Sequence, residues 1–338
     1  MAAAASISFG PLLGGYLVDA YSWHRIFDVN VPVGLLAILL SVFIQKEWRG
    51  DVRHPFDWKG FAAIVLFMPL TIFALARGNS ATNHEGWASP TVIACFAVAA
   101  AAFAFFIVTE LRNPAPLLQI RLLGERNFGI SMGVLTLFAV GMLGGTYLLP
   151  LYMQRGLGYT ALMAGSVFLP VGLIQGVLSA VSGYMTRYVK PLLPVVAGIL
   201  AMALSFWLAS RFTIHTTHRH ILFVLYLRGF GMGLTFAPLN LFSLKNLTQQ
   251  DMAAAAGISN SIKQLAGSFG IALLTVVFTA RTAFHAAHET QQTPQTYVEG
   301  VTDALTVVVW ITLAAALPLL GAIRRKKKPR NAGPKSLR

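Results

Sequence analysis

The chain has 338 residues, of which 56% are hydrophobic and 11% charged, with a formal net charge of +14. An ordinary soluble domain carries about 25% charged residues, so this chain could not cover a water-facing surface. The positive charge does not indicate nucleic acid either, because the basic residues lie between apolar blocks and in residues 324–330 rather than interleaved with aromatics.

A bilayer core takes about 20 helical residues to cross. Ten apolar blocks near that length predict spans at 2–20, 31–45, 58–76, 91–108, 128–153, 161–185, 191–210, 220–244, 252–280 and 301–323. The predicted fold class is an all-α integral membrane protein. Residues 1–10 lack the basic region of a signal peptide, and Gly10-Pro11 interrupts the apolar run. Cys95 is the single cysteine, so no disulfide forms within the chain.

The first span places Gly10 and Gly14 on one helical face, with Gly15 beside them. Lipid supplies no hydrophobic drive between helices, so small residues that let backbones approach are valuable. Pro11 bends the helix, and neighbouring helices satisfy the backbone groups it frees. The second block is short, and residues 27–30 extend it. Trp23, Trp48, Trp58, Trp87 and Trp207 fall near span ends, where amphipathic rings sit at headgroup level. Trp310 falls inside the last block and is expected to pack against protein or line a cavity.

Two cations fall within predicted spans. Arg228 lies in the eighth, with three readings open: snorkelling to the interface, a buried pair with Asp303 or a carbonyl, or a cavity-lining charge. Lys263 lies in the ninth, beside Asn260 and Gln264 on one polar stripe, with Gly267 and Gly270 following. That stripe reads equally as a substrate-sensing cavity wall or as an interhelical hydrogen-bond clamp. Asn240, Gln154 and Gln175 are further candidate cavity residues. Phe138, Met142, Tyr147, Tyr152, Phe168, Phe236 and Phe242 are candidate apolar lining.

The histidine-rich stretch at 215–220 has no standard zinc spacing, and no phosphate loop, HExxH string or Ser/His/Asp set appears. Neither an enzyme nor a metal or organic cofactor is indicated. Orientation follows the Lys and Arg asymmetry. With an even number of spans and both termini cytoplasmic, ten loop cations lie inside and six outside, and the tail adds eight inside. The tail is expected to hold anionic membrane lipid at about 1 kcal/mol per charge.

Gly10, Pro11, Gly14, Gly15, Asp19, Trp23, Ile26, Phe27, Asn30, Pro32 and Gly34 together resemble the antiporter motif of the major facilitator superfamily, in its 14-span drug:proton antiporter branch. His24-Arg25 and Asp28 depart from that pattern. Residues 113–129, 147–172 and 257–273 resemble later segments of the same branch, with Lys263 where Arg is frequent. The motif belongs to the family's fifth span, so the resemblance implies that four spans are missing and the N-terminal half is incomplete. Residues 1–45 would then close that half, 46–110 would be two extra linker helices, 111–323 a complete six-helix C-terminal half, and 324–338 a basic cytoplasmic tail.

The resemblance implies export of small lipophilic compounds across a bacterial inner membrane, with the proton gradient as energy source. An aromatic, Met-rich interior suits varied substrates because it repacks. Some members dock a periplasmic adaptor protein, which is an expectation from the family alone. The family's membrane carboxylates lie mostly on its first and fourth spans. Two alternatives stand beside this reading: a truncated, transport-inactive membrane fragment, and a facilitator of another small solute.

Overall fold

The structure, a computed structural model, describes residues 2–44, 56–78, 83, 85–113, 116, 118–249, 251–289 and 293–323. Trp48, the cations at 46, 49 and 53, and the basic tail lie outside the described residues. Among the described residues every regular element is helical. Nine helical segments there are long and apolar enough to cross a membrane.

The chain opens with α1 (Ala2–Ala20) and α2 (Arg25–Ile44). α2 starts well before residue 31 because Arg25 and Asp28 pair across its first turn at 2.9 Å, which makes it 20 residues long. It has no buried residue. An apolar helix left so bare in water would be an aggregation site, whereas lipid solvates it. α3 (Trp58–Gly78) and α4 (Pro90–Arg112) pack against each other. Their connection is tied by the Asn83 amide, which donates to the carbonyls of Arg77 and Gly86. Near the C-terminal end of α4, Glu110 is fully buried and accepts a hydrogen bond from the Leu118 amide at 3.0 Å.

α5 (Arg126–Leu151) begins where the Glu125 carboxylate caps the Phe128 amide at 2.7 Å. Pro150 lies in its last turn, and one π-helical turn follows over Tyr152–Gly156. The predicted span 161–185 is two pieces, α6 (Ala161–Ser166) and α7 (Leu169–Met185), interrupted just ahead of Pro170. α8 (Leu192–Ala209), α9 (His218–Leu244) and α10 (Met252–Glu289) follow. The apolar block sets only the membrane part of α10, so the helix continues nine residues past 280. The last block divides into α11 (Pro294–Ala314) and α12 (Leu317–Ile323), with Thr293 capping Pro294 onward. It starts seven residues before 301, because Pro at the first helical position costs nothing.

α5 and α7 to α11 share one apolar core, in which Phe128, Phe138, Leu148, Met202, Phe206 and Leu305 are fully buried. Glycine seams set the approach of these helices. A Cβ on Gly270 would overlap the Val140 carbonyl, and one on Gly231 would lie 2.9 Å from the Gly198 carbonyl. α3 meets this bundle at α10, where Leu75 and Ala76 share a cavity with Ala272 and Val276. At the far end of α10, Arg281 pairs with Asp303 at 2.6 Å, and His285 stands between Asp303 and Glu299 at 2.9 and 3.3 Å.

Two expectations are corrected here. Among the described residues nothing lies within 4 Å of a Cβ built on Gly10 or Gly14; the close approach of α1 is made at Gly15, against the Ala161 carbonyl. The helix meets α6 on the face that carries Gly15 and Pro11, and Gly165 opposite would overlap the Pro11 carbonyl if it bore a Cβ. Trp310 is 66% exposed, so among the described residues it does not pack in the core. It sits on the outward face of α11, while Val308 and Val309 fill the inward one.

Candidate functional site

A cavity of about 250 Å³ opens between α5, α9 and α10. Its walls follow helical spacing. α9 contributes Phe236, Leu239, Asn240 and Ser243, and α10 contributes Ala256, Ser259, Asn260 and Lys263. Residues three and four apart share a face, so each helix offers a single stripe. Met132 and Leu135 of α5 close the third side.

The polar groups differ in their engagement. The Ser259 hydroxyl donates to its own helix at the Ala255 carbonyl, and Ser243 donates to the Asn240 carbonyl, each at 2.7 Å. The side chains of Asn240, Asn260 and Lys263 make no hydrogen bond or ion pair within the described residues. No carboxylate lines the cavity. The space therefore presents one ammonium, two amides that can donate or accept, and an apolar floor. An interhelical clamp would require Asn260 or Lys263 to bond a neighbouring helix, and neither does so here. Gly267 and Gly270 give the close packing instead, against Leu143 and Val140.

The other sequence candidates are scattered. Gln264 is exposed and does not line this cavity, and Gln154 is exposed in the π turn. Gln175 is buried at the α7–α9 seam, away from the cavity. Arg228 is 1% exposed, so it does not snorkel. Its expected partner Asp303 is held by Arg281 and His285. The Arg228 guanidinium lies 4.3 Å from the centre of the Phe206 ring, with no hydrogen-bond partner on any nitrogen. Among the aromatics, Phe236 lines the cavity, and Phe138 backs it edge-on at 5.6 Å. Tyr152 and Phe168 belong to the core, where the Tyr152 hydroxyl donates to the Thr213 carbonyl at 2.8 Å. Met132, Leu135, Ser243, Ala256 and Ser259 were not legible as site residues; spacing of three or four from the asparagines signals only Ser243 and Ala256, and Met132 and Leu135 come from another helix.

Part of the antiporter motif forms a second locus, at the start of α6. Both carboxylate oxygens of Asp19 accept backbone hydrogen bonds at the start of α6, from Ala161 at 3.2 Å and Leu162 at 2.7 Å. With Gly15 and Pro11 below, α1 is fastened to α6 at its tip and pressed against it along its length. Asn30 bonds its own helix at the Ile26 carbonyl, and Pro32 lies inside α2. Both stand apart from that contact.

Comparison with known proteins agrees with this architecture. Residues 1–271 match the major facilitator superfamily. The chain is 32% identical over 285 residues to multidrug export protein EmrB of Escherichia coli (strain K12), covering 83% of the chain and 55% of EmrB. It is 30% identical over 277 residues to the uncharacterized MFS-type transporter YhcA of Bacillus subtilis (strain 168), covering 82% of the chain and 51% of that protein. It is 27% identical over 277 residues to fatty acid resistance protein FarB of Neisseria gonorrhoeae, covering 82% and 54%. The chain thus spans about half the length of these relatives. Helical spans without strands among the described residues, a small-residue seam at the antiporter motif and this sequence match lead to one conclusion: the chain belongs to the major facilitator superfamily and is similar to its EmrB-type multidrug transporters.

Proposed function

We propose that this chain carries the substrate-handling C-terminal half of a secondary transporter that exports lipophilic compounds in exchange for protons. The observation that carries the reading is the cavity in which Asn240, Asn260 and Lys263 stand unbonded above an apolar floor. Three free polar side chains in hydrocarbon are expensive and persist where they serve a water-filled or ligand-filled path. At about 250 Å³ the cavity is smaller than the roughly 300–1,000 Å³ of a drug-sized site. It acts as one wall of a larger site closed by a second half. Residues 1–45 belong to that half, 46–110 hold the linker pair, and 111–323 form the six-span half. The location is the bacterial inner membrane, with both termini cytoplasmic.

The test is efflux of a neutral lipophilic dye, Nile red, from cells making this chain, with and without an uncoupler. Uncoupler-sensitive efflux that changes on Lys263→Ala, while the membrane-inserted amount stays constant, supports the reading. Loss of insertion in Lys263→Ala would instead give this residue a structural role.

A second reading has its own observation: the mid-helix carboxylate of α11, Asp303, is tied to Arg281 and His285, no carboxylate lines the cavity among the described residues, and the chain spans half of its relatives. In that reading the chain alone is transport-inactive. Efflux by the chain alone contradicts it; efflux only after restoring upstream-encoded spans supports it.

A further inference from the structure

The described lipid-facing surface contains a groove of about 610 Å³ between α7 and α9, with an almost wholly apolar lining. The two helices run parallel. Gly229 meets Val171 and Ile174, and four residues on Gly233 meets Leu178. Behind this glycine seam the larger side chains stand clear of one another. Leu173 and Val177 of α7 are 56% and 61% exposed, and Phe223 of α9 is 58% exposed. Phe223, Tyr226, Leu227 and Phe230 line the α9 side at helical spacing.

Arg219 continues that same stripe by one turn, at the mouth of the groove. It is exposed, and among the described residues no acidic side chain pairs with it. Its surroundings are basic: residues 210–220 hold Arg211 and three histidines and no carboxylate. The described acids toward this end are engaged, Asp19 by the amides of Ala161 and Leu162, and Glu299 and Asp303 by His285 and Arg281. α9 also starts at Thr217 without a side-chain cap, which leaves its positive end open to an anion. From Arg219 to Phe230 the helix rises about 17 Å at 1.5 Å per residue. Half of a hydrocarbon core of about 30 Å is about 15 Å. A cation at the headgroup level and an apolar channel one leaflet deep match one kind of molecule.

We propose that this groove holds an anionic phospholipid, its phosphate against Arg219 and one acyl chain laid along α7 and α9. In the orientation proposed above, the lipid belongs to the outer leaflet. The assignment does not depend on export.

The test is native mass spectrometry of the purified full chain, released from detergent containing equimolar phosphatidylglycerol and phosphatidylcholine. The wild type is expected to retain phosphatidylglycerol about tenfold over phosphatidylcholine. Arg219→Gln should bring the two toward equal retention. Val177→Trp, which fills the groove at a 61% exposed position, should remove one bound lipid of either kind. Leu173→Trp repeats the filling test at an independent exposed site. Unchanged retention in all three variants overturns the proposal. Loss on filling with the preference intact in Arg219→Gln overturns the charge recognition. Loss in Arg219→Gln with filling harmless overturns the groove. A dimer abolished by the tryptophans would give the groove to a second copy of the chain and also overturn it.

Discussion

Arg228 is the residue whose environment departs most from what its type demands. A guanidinium with no hydrogen-bond partner is buried against Phe206. Burying a charge is costly, and replacing buried ions by apolar groups of similar volume is often neutral or stabilising. Arg228→Met is therefore expected to melt at the same temperature or higher, as read by thermal unfolding in detergent. A clear fall would mean that the stacking on Phe206 outweighs desolvation. If transport drops while stability holds, the charge serves the transport cycle. Asp19 gives the complementary case. Asp19→Ala leaves the amides of Ala161 and Leu162 without acceptors, so the α1–α6 contact should loosen and the melting temperature fall. Asp19→Asn keeps one acceptor oxygen and should lose less. Equal losses in the two variants would contradict the capping account. Neither role was legible beforehand. Sequence can count a cation in a span, but its partner depends on which helices are neighbours, and Asp303 faces Arg281 rather than Arg228.

Elements were read best where an apolar run alone decides them. Block length and hydropathy placed α3, α4, α5, α8 and α9 to within a few residues. Their termini and interruptions were read less well, because local hydrogen bonding sets these rather than hydropathy. The Arg25–Asp28 pair starts α2 early, and the Thr293 cap starts α11 early. The apolar runs 161–185 and 301–323 each continue across a helix break that hydropathy does not register. Glycine position was legible only in part. Gly267 and Gly270 are packing sites as expected, whereas Gly10 and Gly14 are not. The α5–α10 seam gives the sharper prediction. Gly270→Leu forces a side chain into the Val140 backbone, which cannot yield like a flexible side chain. Overpacking of that kind costs about 1–3 kcal/mol. Thermal unfolding should register it, and Gly10→Leu should register almost nothing. A reversed order would contradict the seam.

At the scale of the whole molecule, the class and family followed from composition and one long motif, while the cavity needed the fold. Asn240 and Asn260 are 20 residues apart in sequence and on different helices, and only packing of α9 beside α10 brings them to one space. Orientation rests on the distribution of Lys and Arg. Cysteines placed at the two chain ends in a Cys95→Ser background should react with an impermeant maleimide from the same face of the membrane; opposite faces would contradict an even number of crossings. The most direct test of the account concerns occupancy of the cavity. In the same background, Ala256→Cys places a thiol on its wall and Trp310→Cys places one on the lipid-facing surface. The account predicts that Nile red slows maleimide labelling at 256 and leaves labelling at 310 unchanged. Equal labelling with and without the dye at 256 would contradict it.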